Sequence, residues 1–336
     1  MRFIKCNKPQ TILIYLLAWL MMPGGQVFAT EYNDWVRVLS LKGPWKFSIG
    51  DDGRWAAAAF DDRKWENIRV PATWENEGFY GYDGYAWYRK SFDGRELKAN
   101  AGLYLGLGYI DDADEVYFNG RLIGFSGGFP PRFHTAYKAH RMYPIPAEYI
   151  NRNGENTIAV RVYDAHLEGG IIAGDIGIFY RKDELALDID LKGIWRFRTG
   201  NHPNWAGPDF DDRKWAPIMV PSFWEDQGYN YDGIAWYRKA FFVPKSLEGQ
   251  ELVLLVGKID DFDLTYLNGK FMGSTNDGRR FGSSQSWLQV RAYSIPAGAL
   301  RFGEVNYLAV QVKDMGVGGG IYQGPLGIVR KDRGRW

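Results

Sequence analysis

Apolar and polar residues alternate along much of this chain. TIAVRVYD (157–164) and YLAVQVKD (307–314) switch character nearly every step, as half-buried strands do. LYLGLGYI (103–110) and ELVLLVGKI (251–259) are β-rich apolar runs. VYFNGRLIG (116–124) and TYLNGKFMG (265–273) place Asn119-Gly120 and Asn268-Gly269 between apolar arms. Those dipeptides predict type I′ hairpin turns, in which both central residues take positive φ. No apolar pattern of helical period lasts beyond about two turns. WAAAAF (55–60) suits one short helical turn, whereas Gly207 and Pro208 stand at the matching place later. The expected fold class is all-β, built as antiparallel sandwiches.

Each of these segments occurs twice, about 150 residues apart. FDDRKW at 60–65 returns unchanged at 210–215, and VPATWENEGFYGYDGYAWYRK (70–90) returns as VPSFWEDQGYNYDGIAWYRK (220–239). A repeat of that length is a domain, since solenoid units run only about 20–50 residues. Residues 30–183 and 184–336 are therefore expected to form one fold used twice. The junction DELALDIDL (183–191) alternates apolar residues and lacks Gly, Ser and Pro, so it predicts a strand entering the second module.

Residues 1–29 carry a different pattern. Arg2, Lys5 and Lys8 precede the apolar run TILIYLLAWLMM (11–22), and Val27-Phe28-Ala29 offers small residues for cleavage. This reads as a secretory signal peptide, too short to span a bilayer as a helix. The expected location is periplasmic or extracellular. Cys6, the single cysteine, leaves with the signal, so no disulfide or thiolate metal site is expected. Removal of the leader changes the formal net charge from +1 to −2, and no basic stripe marks a nucleic-acid partner or a membrane surface.

With 14 Trp, 21 Tyr and 20 Phe, aromatic residues are candidates for stacking on sugars as well as for the core. The tryptophan pairs 45/195, 55/205, 65/215, 74/224 and 87/236 recur at matching places, which favours the core reading. LKGPWKF/LKGIWRF, FDDRKW, VPxxWE, DGxAWYRK, IDDxDxxYxNG and VKDMGVGGGIYQGPLGI together resemble the galactose-binding-like jelly roll of family-two glycoside hydrolases. Similar modules occur in sialate O-acetylesterases. The resemblance covers both modules.

It implies a tandem jelly roll that binds a glycan or oligosaccharide. In that family the Asp ending the penultimate strand lies near the bound sugar, a place taken here by Asp164 and Asp314. The expected ligand-facing parts are the loops that differ: 126–141 against 274–291, and 164–178 against 314–328. The candidate sugar contacts are Asp314, Trp287 and Tyr322 in module two, with Asp164, Tyr137, His166 and Glu168 in module one. The acidic runs Asp111, Asp112, Asp114 and Asp260, Asp261, Asp263 are candidates for structural calcium or for pairing with Arg89 and Arg238.

No catalytic residue is expected. A (β/α)8 barrel needs about 250 residues, and the two modules consume the chain. Glu75-Asn76-Glu77 falls in the sandwich motif VPxxWE. Gly124-Phe125-Ser126-Gly127-Gly128 fits G-x-S-x-G but follows a hairpin arm instead of leading into a helix. The expected function is an exported, non-catalytic carbohydrate-binding protein associated with glycan degradation. The alternatives are a hydrolase related to β-galactosidases or sialate O-acetylesterases, and a docking module for a separate glycosidase chain.

Overall fold

The structure, a computed structural model, describes residues 34–99, 102–276 and 285–334. The expected signal peptide lies outside the described residues. Among those described, no helix is long and apolar enough to cross a membrane.

Among the described residues, twenty strands make two sandwiches. Module one holds β1 (Trp35–Ser40), β2 (Gly43–Ile49), β3 (Glu66–Val70), β4 (Gly84–Asp93), β5 (Leu103–Asp111), β6 (Ala113–Phe118), β7 (Arg121–Ser126), β8 (His140–Ile145), β9 (Glu155–Asp164) and β10 (Gly170–Arg181). Module two holds β11 (Ile189–Asp190), β12 (Gly193–Thr199), β13 (Ala216–Val220), β14 (Gly233–Val243), β15 (Leu252–Asp260), β16 (Phe262–Leu267), β17 (Lys270–Thr275), β18 (Val290–Ser294), β19 (Glu304–Asp314) and β20 (Gly320–Arg330). A four-stranded sheet, β1-β10-β5-β8, faces a six-stranded one, β3-β2-β4-β9-β6-β7. Module two repeats both orders, as β11-β20-β15-β18 and β13-β12-β14-β19-β16-β17. The two all-β sandwiches expected from alternation are present.

The hairpins turn where Asn-Gly predicts. Asn119 and Gly120 have φ of 49° and 78°, and Asn268 and Gly269 have 51° and 79°. Asn119 also accepts from Thr157 N–H at 2.8 Å and donates to the Tyr149 carbonyl at 2.8 Å, so its side chain ties β6 to β9. A short 3-10 turn forms at Gly53–Ala56 and equally at Pro203–Ala206. Gly207 and Pro208 follow that second turn without preventing it. The junction forms a shorter strand than expected. Only Ile189–Asp190 pairs, with β20, while Leu185 and Leu187 cover the outer face of Val253, Leu255 and Val329.

Strand alternation sends the tryptophans into two layers. Trp45 and Trp74 enter the core between the sheets of module one, as Trp195 and Trp224 do in module two. Trp87 and Trp236 point to the opposite face of the six-stranded sheet. There they gather Trp55 and Trp65, or Trp205 and Trp215, in a small outer cluster. FDDRKW closes that cluster. Arg89 is buried and pairs with Asp62 at 2.8 Å, while donating to the carbonyls of Trp55 and Ala57. Arg238 pairs with Asp212 at 2.8 Å in the same way.

Arg89 and Arg238 therefore take their carboxylates from FDDRKW and not from the acidic runs. The structure corrects that expected pairing: β4 and β14 aim these arginines at the outer face. Asp114 and Asp263 point inward from β6 and β16 and meet Arg141 at 2.8 Å and Arg291 at 3.1 Å. Each of those four side chains is fully buried.

Candidate functional site

At one end of each sandwich, the penultimate strand stops at a buried aspartate and a Gly-rich loop follows. Asp164 ends β9, and its Oδ1 accepts from His166 N–H at 3.3 Å. Asp314 ends β19, and its Oδ1 accepts from Gly316 N–H at 2.8 Å. The second oxygen, Oδ2, is buried in both residues and has no hydrogen-bond partner among the described residues.

Two further buried atoms share that condition in each module: Trp74 Nε1 and Glu75 Oε1, and their counterparts Trp224 Nε1 and Glu225 Oε1. All three belong to one neighbourhood. Gly169 packs so tightly on the Trp74 indole that an added Cβ would lie 2.1 Å from it, and Gly319 meets Trp224 at 2.2 Å. Glu75 accepts from Gly169 N–H at 3.2 Å and Glu225 from Gly319 N–H at 3.0 Å. Most buried polar groups in proteins are paired, so a donor and two acceptors left over at the same place twice is a built feature. The Glu of VPxxWE holds the Gly-rich loop down, a role that its retention in both copies signalled and that sequence reasoning missed.

Carboxylates crowd these sites. Asp111, Asp112 and Asp164 each bring an oxygen within 4.8 Å of the others. Burial, then the neighbouring Asp112 carboxyl, pushes Asp111 up to about 7. Burial lifts Asp164 to about 6, with repulsion from Asp112, Asp83 and Glu75 adding to it. Asp260 rises to about 7 for the same reasons as Asp111, burial and its neighbour Asp261, and Asp314 is raised by burial. Calcium takes six to eight oxygens, of which Asp111, Asp112 and Asp164 would supply a part. Asp112 already accepts from Thr135 and from Ala165 N–H, and Asp114 and Asp263 are committed to Arg141 and Arg291.

Apolar tips stand above the carboxylates. Leu167 (φ 77°, 86% exposed) and Val317 (φ 84°, fully exposed) occupy the same place in the two loops. Non-glycine residues with positive φ are uncommon, and a β-branched one is an outlier. Such backbone costs about 1–3 kcal/mol and concentrates at functional sites.

The candidate residues distribute unevenly. In module two, Tyr322 donates to the Trp287 carbonyl at 2.7 Å and stacks on Phe223 at 4.8 Å. Ser286, just before Trp287, donates to the Asp261 carbonyl, and Asp261 accepts from Met315 N–H at 3.0 Å. Asp314, Trp287 and Tyr322 thus belong to one end of the module. In module one, His166 and Glu168 are exposed beside Asp164. Tyr137 lines a cleft between the modules, on a loop that Thr135 and Ala136 tie to Asp112. Ser126 ends a strand, and its hydroxyl lies 2.7 Å from the Tyr143 phenol instead of an imidazole, so no nucleophile pair forms there.

The sequence profile described as "Beta-galactosidase second all-beta domain" matches residues 50–168 and again 200–318. The chain belongs to that family. Each matched segment contains its aspartate, Asp164 or Asp314, and stops within the loop that follows. A β-glucuronidase of Paenibacillus borealis is 29% identical over 112 residues, covering 30% of this chain and 18% of that protein. A β-galactosidase of Vibrio cholerae serotype O1 is 27% identical over 165 residues, covering 39% and 16%. The match to each of these relatives covers less than a fifth of the relative's length. The crystal structure of Bacteroides uniformis β-glucuronidase aligns over 82% of this chain and 27% of that one, at 18% identity and a TM-score of 0.35. This family domain is a sugar-binding-type sandwich related to glycosidases.

Proposed function

We propose that this chain is an exported, non-catalytic carbohydrate-binding protein that works beside glycan-degrading enzymes. The observation that carries the reading is the doubled family domain, each copy of which ends its penultimate strand on an aspartate, Asp164 or Asp314, next to an exposed apolar loop tip. A sugar offers hydroxyl donors to a carboxylate and an apolar ring face to an aliphatic or aromatic side chain.

One such site is expected to hold its sugar with a Kd between about 1 mM and 1 μM, or roughly −4 to −8 kcal/mol. Affinity electrophoresis of the full chain on a polysaccharide panel tests this, with Asp314→Asn expected to weaken retardation at least tenfold. Absence of retardation on every glycan, with the protein folded, counts against the reading. Turnover of a chromogenic galactoside that is lost in Asp314→Asn removes the non-catalytic part. Export is tested by sequencing the N-terminus of the mature protein, expected to begin at Thr30.

A further inference from the structure

A cleft of about 840 Å3 opens between the modules. One wall is the 125–143 stretch of module one and the other is the 219–230 stretch of module two. These stretches are not repeat partners. The counterpart of 125–143 is 274–293, and the counterpart of 219–230 is 69–80. Among the described residues this pairing of walls is made at the junction of the modules. Gly228 of module two approaches the His134 ring so closely that an added Cβ would sit 2.8 Å from it. Glu184 in the junction accepts from Tyr104 of module one and from Lys192 of module two, which fixes the walls.

We infer that this cleft is a separate, composite site for a neutral oligosaccharide of more than one ring. The inference rests on the sugar-binding reading above and adds a place that neither module possesses alone. The volume lies within the about 300–1,000 Å3 of ordinary ligand sites. Tyr137, 45% exposed, offers a ring face on one wall beside Lys138 and His134. Glu225 lines the other wall with its carboxylate engaged by Gly319 N–H, and Asp226 and Asn230 offer a hydroxyl acceptor and an amide there. Two carboxylates against one ammonium leave the cleft short of positive charge, which disfavours uronates and sulfated sugars. The half-buried His140 adds little, because burial and Arg141 push its imidazole below the usual range. The composite site also accounts for the divergence of 126–141 from 274–291. Of the described residues in these loops, those of 126–141 line the wall that faces module two.

The test is titration calorimetry of the full chain with galactose, glucose, mannose and xylose, their β-1,4-linked tetraoses, and tetragalacturonate. One neutral tetraose is expected to bind at least tenfold tighter than its monosaccharide. Tyr137→Ala and Asn230→Ala, both at exposed side chains, are expected to erase that advantage and leave monosaccharide binding unchanged. Asp314→Asn is expected to do the reverse. A tetraose advantage that survives both cleft substitutions overturns the inference and spares the sugar-binding reading, as does equal binding of tetragalacturonate. Failure of every neutral sugar to bind sinks both.

Discussion

Arg141 sets up a quantitative test of how the 126–141 loop is held. Its Nε meets Asp114 at 2.8 Å, and the rest of its guanidinium donates to the carbonyls of Ala136, Ala139 and Asp112. Tyr143 adds a hydrogen bond to the second Asp114 oxygen at 2.6 Å. Both ions are fully buried, so Asp114→Ala leaves a guanidinium without its counter-charge. Loss of one partner of a buried pair costs about 3–5 kcal/mol. Asp114→Asn keeps the shape and one acceptor but removes the charge, and is expected to cost about 1.5–3 kcal/mol, the worth of a hydrogen bond to a charged group.

Urea unfolding followed by tryptophan fluorescence measures both, and the repeat supplies its own control. Asp263→Ala should destabilise module two by a similar amount, since Arg291 makes the matching contacts to the carbonyls of Ser286, Gln289 and Asp261. Because Arg141 grips the carbonyls flanking Tyr137, Asp114→Asn is also expected to weaken tetraose binding. A loss below about 1 kcal/mol for Asp114→Ala would refute the reasoning. So would an Asp114→Leu/Arg141→Met double variant as unstable as the single one, because replacing both charges by apolar groups is often near neutral.

The carboxylate clusters predict a pH dependence of stability. Unfolded aspartates lose their protons near pH 3.9, whereas folded Asp111 and Asp260 hold theirs to about 7 and Asp164 to about 6. The folded state binds more protons across that window, so this contribution to stability falls as pH rises from about 4 to 7 and then levels off. Thermal midpoints across the range should show it, and Asp111→Asn should flatten the curve. Val317→Gly relieves the left-handed backbone and is expected to raise stability by about 1 kcal/mol while weakening glycan retention; a midpoint that falls contradicts this. Gly169→Ala drives a Cβ into the Trp74 indole and should cost about 1–3 kcal/mol. Chemical denaturation checks that loss, and an unchanged midpoint would mean that the indole yields freely.

The fold was legible because its signals are local and doubled. Alternation marked β9 and β19, and Asn-Gly marked both hairpins. Matching tryptophans marked the core, though not that Trp87 and Trp236 turn to the outer face, which depends on the phase of one strand. The arginine partners were misread for a related reason. Asp62 and Asp114 are both near Arg89 in motif order, but β4 and β6 present opposite faces, and facing is a property of pairing. Asp164 and Asp314 were reachable through resemblance. The leftover Trp74 and Glu75 atoms were not, because being unpartnered is a fact about surroundings. The cleft had no sequence signal at all: its walls come from unrelated positions of the repeat, so self-comparison cannot bring them together.

The contact between the modules is head-to-tail, and such a contact never consumes both of its surfaces. Module one seats its 125–143 face on module two and keeps its own 69–80 face open. Module two does the opposite, and its open face carries the exposed Trp287, Leu288 and Val290. The repeat therefore presents the two surfaces of one joint twice, and the divergence of 274–291 from 126–141 leaves the second pair unmatched. Duplication of this module thus created a surface that neither copy has alone, the cleft at the joint.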